Sequence, residues 1–248
     1  MRLRRDLQSG SVLEIEIFPV SNRTKDIDKV KPKLQTMSQE ERDRHKHLIS
    51  RRLFIRKFNH NFSPSSLYTT LTLNNEYEVH TFSEAKKLLD NYINRLIYLY
   101  PDAKVMAVMG RGKKTNRIHF HIVSDGISAI AIRSRWVEGD VVRIESLRED
   151  NYYNGKNHGR DYTGLAGYLF DHWTPEQGTR KYRETRKTIE KPKPETEQTE
   201  KKHYLKKPPS VPKGYKIVEA RAGQYGYLYF KAVKIIEKVK KKQTPQRM

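Results

Sequence analysis

The run Asn116-Arg117-Ile118-His119-Phe120-His121-Ile122-Val123 leaves its backbone few choices. Apolar residues at every second position fit a strand, because successive side chains of a strand point to opposite faces. Ile118, Phe120 and Ile122 then form one apolar face, and His119 and His121 share the other. Two imidazoles side by side are poor core material and good ligands for a divalent metal. The plain alternative is a solvated outer face.

Charge narrows the partners. The 248 residues hold 50 Lys+Arg against 29 Asp+Glu, a formal net charge of +21. Such an excess repels itself in the folded state and attracts polyanions, of which nucleic acid is the obvious one. A membrane surface is the competitor, but there is no run of about 18 apolar residues and no signal-peptide core. A soluble, cytoplasmic protein is expected. With no cysteine, disulfides, zinc-thiolate sites and thiol catalysis are excluded. A hydrophobic content of 35% suits one core of moderate size with poorly packed extensions.

Along the chain, residues 11–18 alternate apolar and acidic and predict a strand, followed by a polar stretch to about Gln35. Ser38 with Glu41 three residues on predicts a capping box and a helix over 40–59, rich in Arg, Lys and His. Leu48, Leu53, Phe54 and Phe58 are its sparse apolar stripe, and its charge favours a DNA-facing role. Further strands are expected at 68–73, 104–109 and 141–145, with an amphipathic helix over 83–99. Residues 110–116 form a basic turn into the histidine strand, which implies an antiparallel hairpin. The fold class is α+β, a central antiparallel sheet flanked by helices. Expected divisions are 1–60 (strand and basic helix), 61–187 (core), 188–214 (a Lys/Glu/Pro-rich linker unable to fold alone) and 215–248 (β-hairpin and basic tail).

Residues 161–173 read as a helix capped by Asp161, with Leu165, Leu169 and Trp173 toward the core and Tyr168 and His172 one turn apart on one face. Tyrosine is a weak nucleophile at neutral pH, with a pKa of about 10. Beside a metal that polarises a phosphate it can attack a phosphodiester and keep the bond energy as phosphotyrosine.

These blocks resemble HUH endonucleases, specifically the rolling-circle replication initiators of phages and plasmids of Gram-positive bacteria. The resemblance covers roughly residues 50–190. Phe62-Ser63-Pro64 with Tyr68-Thr69-Thr70-Leu71-Thr72-Leu73 is similar to the first motif, and 116–123 to the His-hydrophobic-His motif. Tyr168 stands where the helix-borne nucleophile stands, and the basic segment 178–186 resembles one that follows that helix in related proteins. The resemblance implies an HUH/RRM-like sheet and Mg²⁺ or Mn²⁺ held by His119, His121 and a carboxylate or amide. It implies nicking and rejoining of single-stranded origin DNA, or of an origin hairpin, through a 5′-phosphotyrosine intermediate, with His172 beside Tyr168 at the catalytic site. Where relatives often carry Glu, near position 110, this chain has Gly110; where many carry Lys, it has Asp171. The third ligand is therefore open among Glu145, Asp171, Asp125, water and the DNA.

Arg111, Lys113, Lys114 and Arg117 at the mouth of the hairpin are candidate phosphate contacts, as are Arg180, Lys181, Arg183 and Arg186. Tyr182 is a candidate for base stacking. Tyr152, Tyr153 and Tyr162 are rival nucleophiles; His158 is expected in a loop, and His45 and His47 in solvent. No Walker-type loop is present, so unwinding needs a partner, and host helicase and polymerase are expected ones. The competing readings are a relaxase or single-strand transposase, and a non-catalytic DNA-binding protein on a decayed scaffold. A relaxase would show three clustered histidines, which the motifs do not supply.

Overall fold

A computed structural model describes residues 2–20, 38–74, 79, 81–112, 117–154, 156–172, 181–200 and 205–235. The polar stretch after residue 20, Lys113, Lys114, Trp173, Arg180 and the basic tail beyond 235 lie outside these described residues.

Among the described residues the architecture is α+β, with two five-stranded antiparallel sheets and four α-helices. One sheet is built from β3 (Leu67–Leu73), β4 (Lys104–Arg111), β5 (Ile118–Asp125), β6 (Gly139–Ser146) and the two-residue β9 (Arg183–Glu184). Its spatial order is β6-β3-β5-β4-β9. The expected hairpin is β4–β5, which pairs Lys104 with Asp125 through to Arg111 with Ile118.

Alternation decides what each face of this sheet meets. Leu71, Ala107, Phe120 and Ile122 face α2 (Phe82–Leu99) and α3 (Ala129–Arg135), where Leu89, Tyr92, Ile93 and Leu96 close a buried core. Met106, Val108 and Val123 face α1 (Gln39–Asn61) and α4 (Thr163–Asp171), which contribute Phe54, Phe58, Leu169 and Phe170. The central sheet is thus sandwiched between two helical layers.

Local chemistry sets the helix starts. Ser38 and Glu41 form the predicted capping box on α1, and Thr81 and Glu84 form a second one on α2. At α4 the expected Asp161 cap is displaced by one residue. Tyr162 is the N-cap and has no side-chain capping bond, while the Asp161 carboxylate accepts from the Thr163 N–H at 2.9 Å.

The second sheet joins both ends of the chain. Its order is β10-β1-β2-β12-β11, from β1 (Arg2–Ser9), β2 (Val12–Pro19), β10 (Glu195–Thr199), β11 (Tyr215–Ala222) and β12 (Leu228–Lys234). The expected linker over 188–214 therefore contains a strand, paired from Glu195↔Asp6 to Thr199↔Arg2. Its composition forbids independent folding; the unpaired edge of β1 supplies the missing hydrogen-bond partners. The C-terminal hairpin likewise pairs with β2 and is not a separate unit.

The α1 helix spends part of its charge inside the protein. Its stripe is real at Phe54 and Phe58, both buried, whereas Leu48 is exposed. Several of its cations are engaged within the protein: Arg56 Nε binds Glu14 at 2.6 Å and Lys57 binds Glu184 at 2.6 Å. Among the described residues no helix is long and apolar enough to cross a membrane.

Buried Asn59 positions α4. Its side-chain oxygen accepts from the Tyr162 N–H at 2.9 Å, and its amide donates to the Ile55 carbonyl at 3.2 Å. Asn59→Ala leaves the buried Tyr162 N–H without an acceptor and should destabilise the fold by about 1–3 kcal/mol. Urea denaturation checks this; an unchanged midpoint would refute the anchoring role.

Candidate metal centre

Pairing across three strands places the site. On β5, His119 lies opposite Thr72 of β3 and Gly110 of β4, and His121 lies opposite Thr70 and Val108. All of these share the face that meets α4. That helix ends at Asp171, and His172 is its C-cap.

The helix end brings His172 to the two strand histidines. The Nε2 atoms of His119 and His172 are 2.8 Å apart, and one ligating nitrogen from each of His119, His121 and His172 lies within 4.8 Å of the others. Ring planes meet at 63–79°, so nitrogens converge where stacked rings would not allow it. The three-histidine cluster that the motifs do not supply is thus formed by folding, with its third member from α4.

Three observations fit this cluster to a divalent metal ion. Burial, reinforced by the neighbouring His119 and His172, pushes the His121 pKa down to about 3, and burial also lowers that of His119. Both imidazoles are therefore neutral at neutral pH, the state that ligates. His121 Nε2 is buried and has no hydrogen-bond partner among the described residues. Leaving such a group unmatched costs about 1–3 kcal/mol, which a ligated cation would offset.

Gly110 makes the cluster possible. A Cβ at this position would sit 2.4 Å from His172 Cδ2 and 2.6 Å from Nε2 of both His119 and His172. The glycine that removes a side-chain ligand from β4 is thus the same residue that admits His172. A glycine within a strand marks close approach by another group, a sequence signal that could have identified this neighbour.

The carboxylates considered as third ligands are engaged elsewhere. Glu145 pairs with Arg143 on β6. Asp171 binds Arg51 Nε at 2.8 Å and lies 3.7 Å from His47. Asp125 accepts from the Ser66 hydroxyl at 2.8 Å. Among the described residues none of them joins the histidine cluster.

Tyr168 lies beside that cluster. The residue is 55% exposed, and its ring centroid is 5.0 Å from that of His172. Tyr162 is buried; its hydroxyl donates to the Arg148 carbonyl at 2.9 Å, and burial pushes its pKa up to about 12. Tyr152 and Tyr153 lie in a separate two-stranded ribbon, β7 (Tyr152–Tyr153) with β8 (Lys156–Asn157).

The other basic candidates are scattered in role. Arg111 stacks over Phe82, and Arg117 donates to the Leu73 carbonyl at 2.7 Å. Lys181, Arg183 and Arg186 border a cleft of about 980 Å³ between α1, α2 and β9. Within it Lys181 lies over Phe170, and Arg183 pairs with Asp90 at 3.2 Å. Tyr182 is half-buried: it packs edge-on against Phe54 at 4.8 Å and borders the same cleft. His47 is not simply solvated: Lys181 Nζ lies 3.2 Å from its Nδ1. His158 borders a second cavity of about 540 Å³ with Tyr68 and Tyr162.

Gly110→Ala should displace His172 and weaken metal binding at least tenfold while the fold persists; titration of metal-stripped protein with Mn²⁺ checks this, and unaltered affinity would overturn the packing argument. A pH effect follows from His121, whose pKa lies near 6.5 when unperturbed and about 3 in the fold. Between these values the unfolded chain binds protons that the folded one refuses, so stability falls as pH drops through this window. Thermal midpoints in EDTA should therefore decrease from pH 6.5 toward pH 3; a flat profile would contradict the assigned burial.

In comparisons with known proteins, the chain matches no family model, no curated protein and no solved structure.

Proposed function

We propose that this protein is a metal-dependent endonuclease of the HUH type that nicks and rejoins single-stranded origin DNA to initiate rolling-circle replication. The carrying observation is the exposed Tyr168 ring, 5.0 Å from the ring of His172 at the edge of the three-imidazole cluster. A nucleophile held beside a cation site is what covalent phosphodiester cleavage of this kind requires.

His119, His121 and His172 would hold the cation, which when bound polarises the scissile phosphate. An all-nitrogen set suits Mn²⁺ better than Mg²⁺, which prefers oxygen ligands. The phenolic oxygen of Tyr168 forms a bond to phosphorus as the P–O3′ bond breaks. The phenol proton passes to water, and the departing 3′ oxygen takes one up. The 5′-phosphate end created by the break stays on Tyr168, and attack by a 3′ hydroxyl reverses the reaction without ATP.

The net charge of +21 supports binding to the phosphate backbone. Single-stranded DNA or a hairpin loop suits an attack by one tyrosine better than a stacked duplex does. Host helicase and polymerase would then extend the freed 3′ end. The three-histidine cluster also suits a relaxase, which would use the same chemistry on a different origin.

Incubation with a single-stranded origin oligonucleotide and Mn²⁺ should leave a nucleotide adduct on the peptide that contains Tyr168, detectable by mass spectrometry. Tyr168→Phe should abolish nick and adduct with little change in DNA affinity, and EDTA should abolish both in the native chain. An adduct that survives in Tyr168→Phe, or full cleavage in excess EDTA, would overturn the mechanism.

A further inference from the structure

Tyr68 on β3 shares the sheet face of the histidines, opposite Val123 of β5 and Glu145 of β6. Its hydroxyl lies 2.8 Å from Nδ1 of His121, and the two rings are close to parallel, 14° apart with centroids at 5.8 Å. Thr70 Oγ1, on the same face, is 3.3 Å from the same nitrogen. His121 therefore has one nitrogen held by hydroxyls, and its other, Nε2, is buried without a partner among the described residues.

An imidazole that ligates a cation through one nitrogen carries a proton on the other, and the acceptor of that proton fixes both tautomer and ring orientation. With Nε2 turned to the cluster, Nδ1–H donates to Tyr68 Oη. The phenolic oxygen has lone pairs free to accept such a bond at this 2.8 Å separation. Its own proton can point to Thr70 Oγ1.

We propose that Tyr68 is a positioning residue for the metal centre, holding His121 in the tautomer and orientation that present Nε2 to the ion. This rests on the reading of the histidine cluster as a metal site. Tyr68 does not itself attack phosphate, because its hydroxyl sits on the Nδ1 side of His121, across the ring from the ligating nitrogen.

The test is binding of Mn²⁺ and Co²⁺ to the full-length, metal-stripped protein by calorimetry, with the visible spectrum of the Co²⁺ form as a second readout. Tyr68→Phe keeps the ring and removes only the hydroxyl. It should weaken both ions by about 10–100-fold and shift the Co²⁺ bands, with the melting temperature of the stripped protein unchanged. Thr70→Val should produce a smaller loss in the same direction, and Tyr98→Phe, at an exposed position on α2, no loss. Native-like affinity and spectrum in Tyr68→Phe would overturn the positioning role alone. Failure of the native chain to bind either ion would instead overturn the metal centre, and this proposal with it.

Discussion

The close approach of His172 to Gly110 is the contact on which the site depends. A β4 side chain at position 110 would project into the face occupied by His119, because the two residues are directly paired. With no Cβ there, the end of α4 can descend until two imidazole nitrogens are 2.8 Å apart. A strand-borne ligand and a helix-borne ligand cannot both occupy that volume. The chain has the helix-borne histidine, and a cation held here would meet three nitrogens with no carboxylate among the described residues.

Such a descent needs α4 to be held from behind. Hydrophobic packing does part of this, through Leu169 and Phe170 against Phe54 and Phe58. It fixes the layer spacing but leaves the helix free to slide. Polar contacts remove that freedom: Asn59 binds the backbone at Tyr162, and Lys231 from the second sheet reaches Asp161 at 2.5 Å and Thr163 at 2.9 Å. The sheet formed by both chain ends thus supports the helix that carries Tyr168 and His172, though it contributes no ligand.

The elements around the site were legible because each carries a strong local signal. Period-two alternation marks β5, a capping box marks α1, and apolar spacing marks α2. His119, His121 and Tyr168 could be singled out on the same grounds. The place of His172 in the cluster could not, since it depends on α4 landing against Gly110, a contact between residues remote in sequence. Search for an oxygen ligand led to Glu145, Asp171 and Asp125, all of which pair with nearer groups. The strand at 195–199 was hidden for a related reason: its exposed, polar residues owe their order to the edge of β1.

Asp171 is the residue whose sequence position argues most strongly against phosphate chemistry, since it lies three residues beyond Tyr168, the proposed nucleophile. Its carboxylate does not stand alone there. Arg51 from α1 binds it through Nε and lies across α4 at Gly167, where a Cβ would be 2.6 Å from Nη2. His47 lies 3.7 Å from the other carboxylate oxygen. An ion pair so exposed adds little to stability, but it cancels the local negative charge at short range. Gly167 therefore does for Arg51 what Gly110 does for His172: each omitted side chain admits a functional group from another element. The cation that offsets Asp171 comes from α1, so the surroundings of Tyr168 are less hostile to a phosphate than the sequence of α4 alone implies.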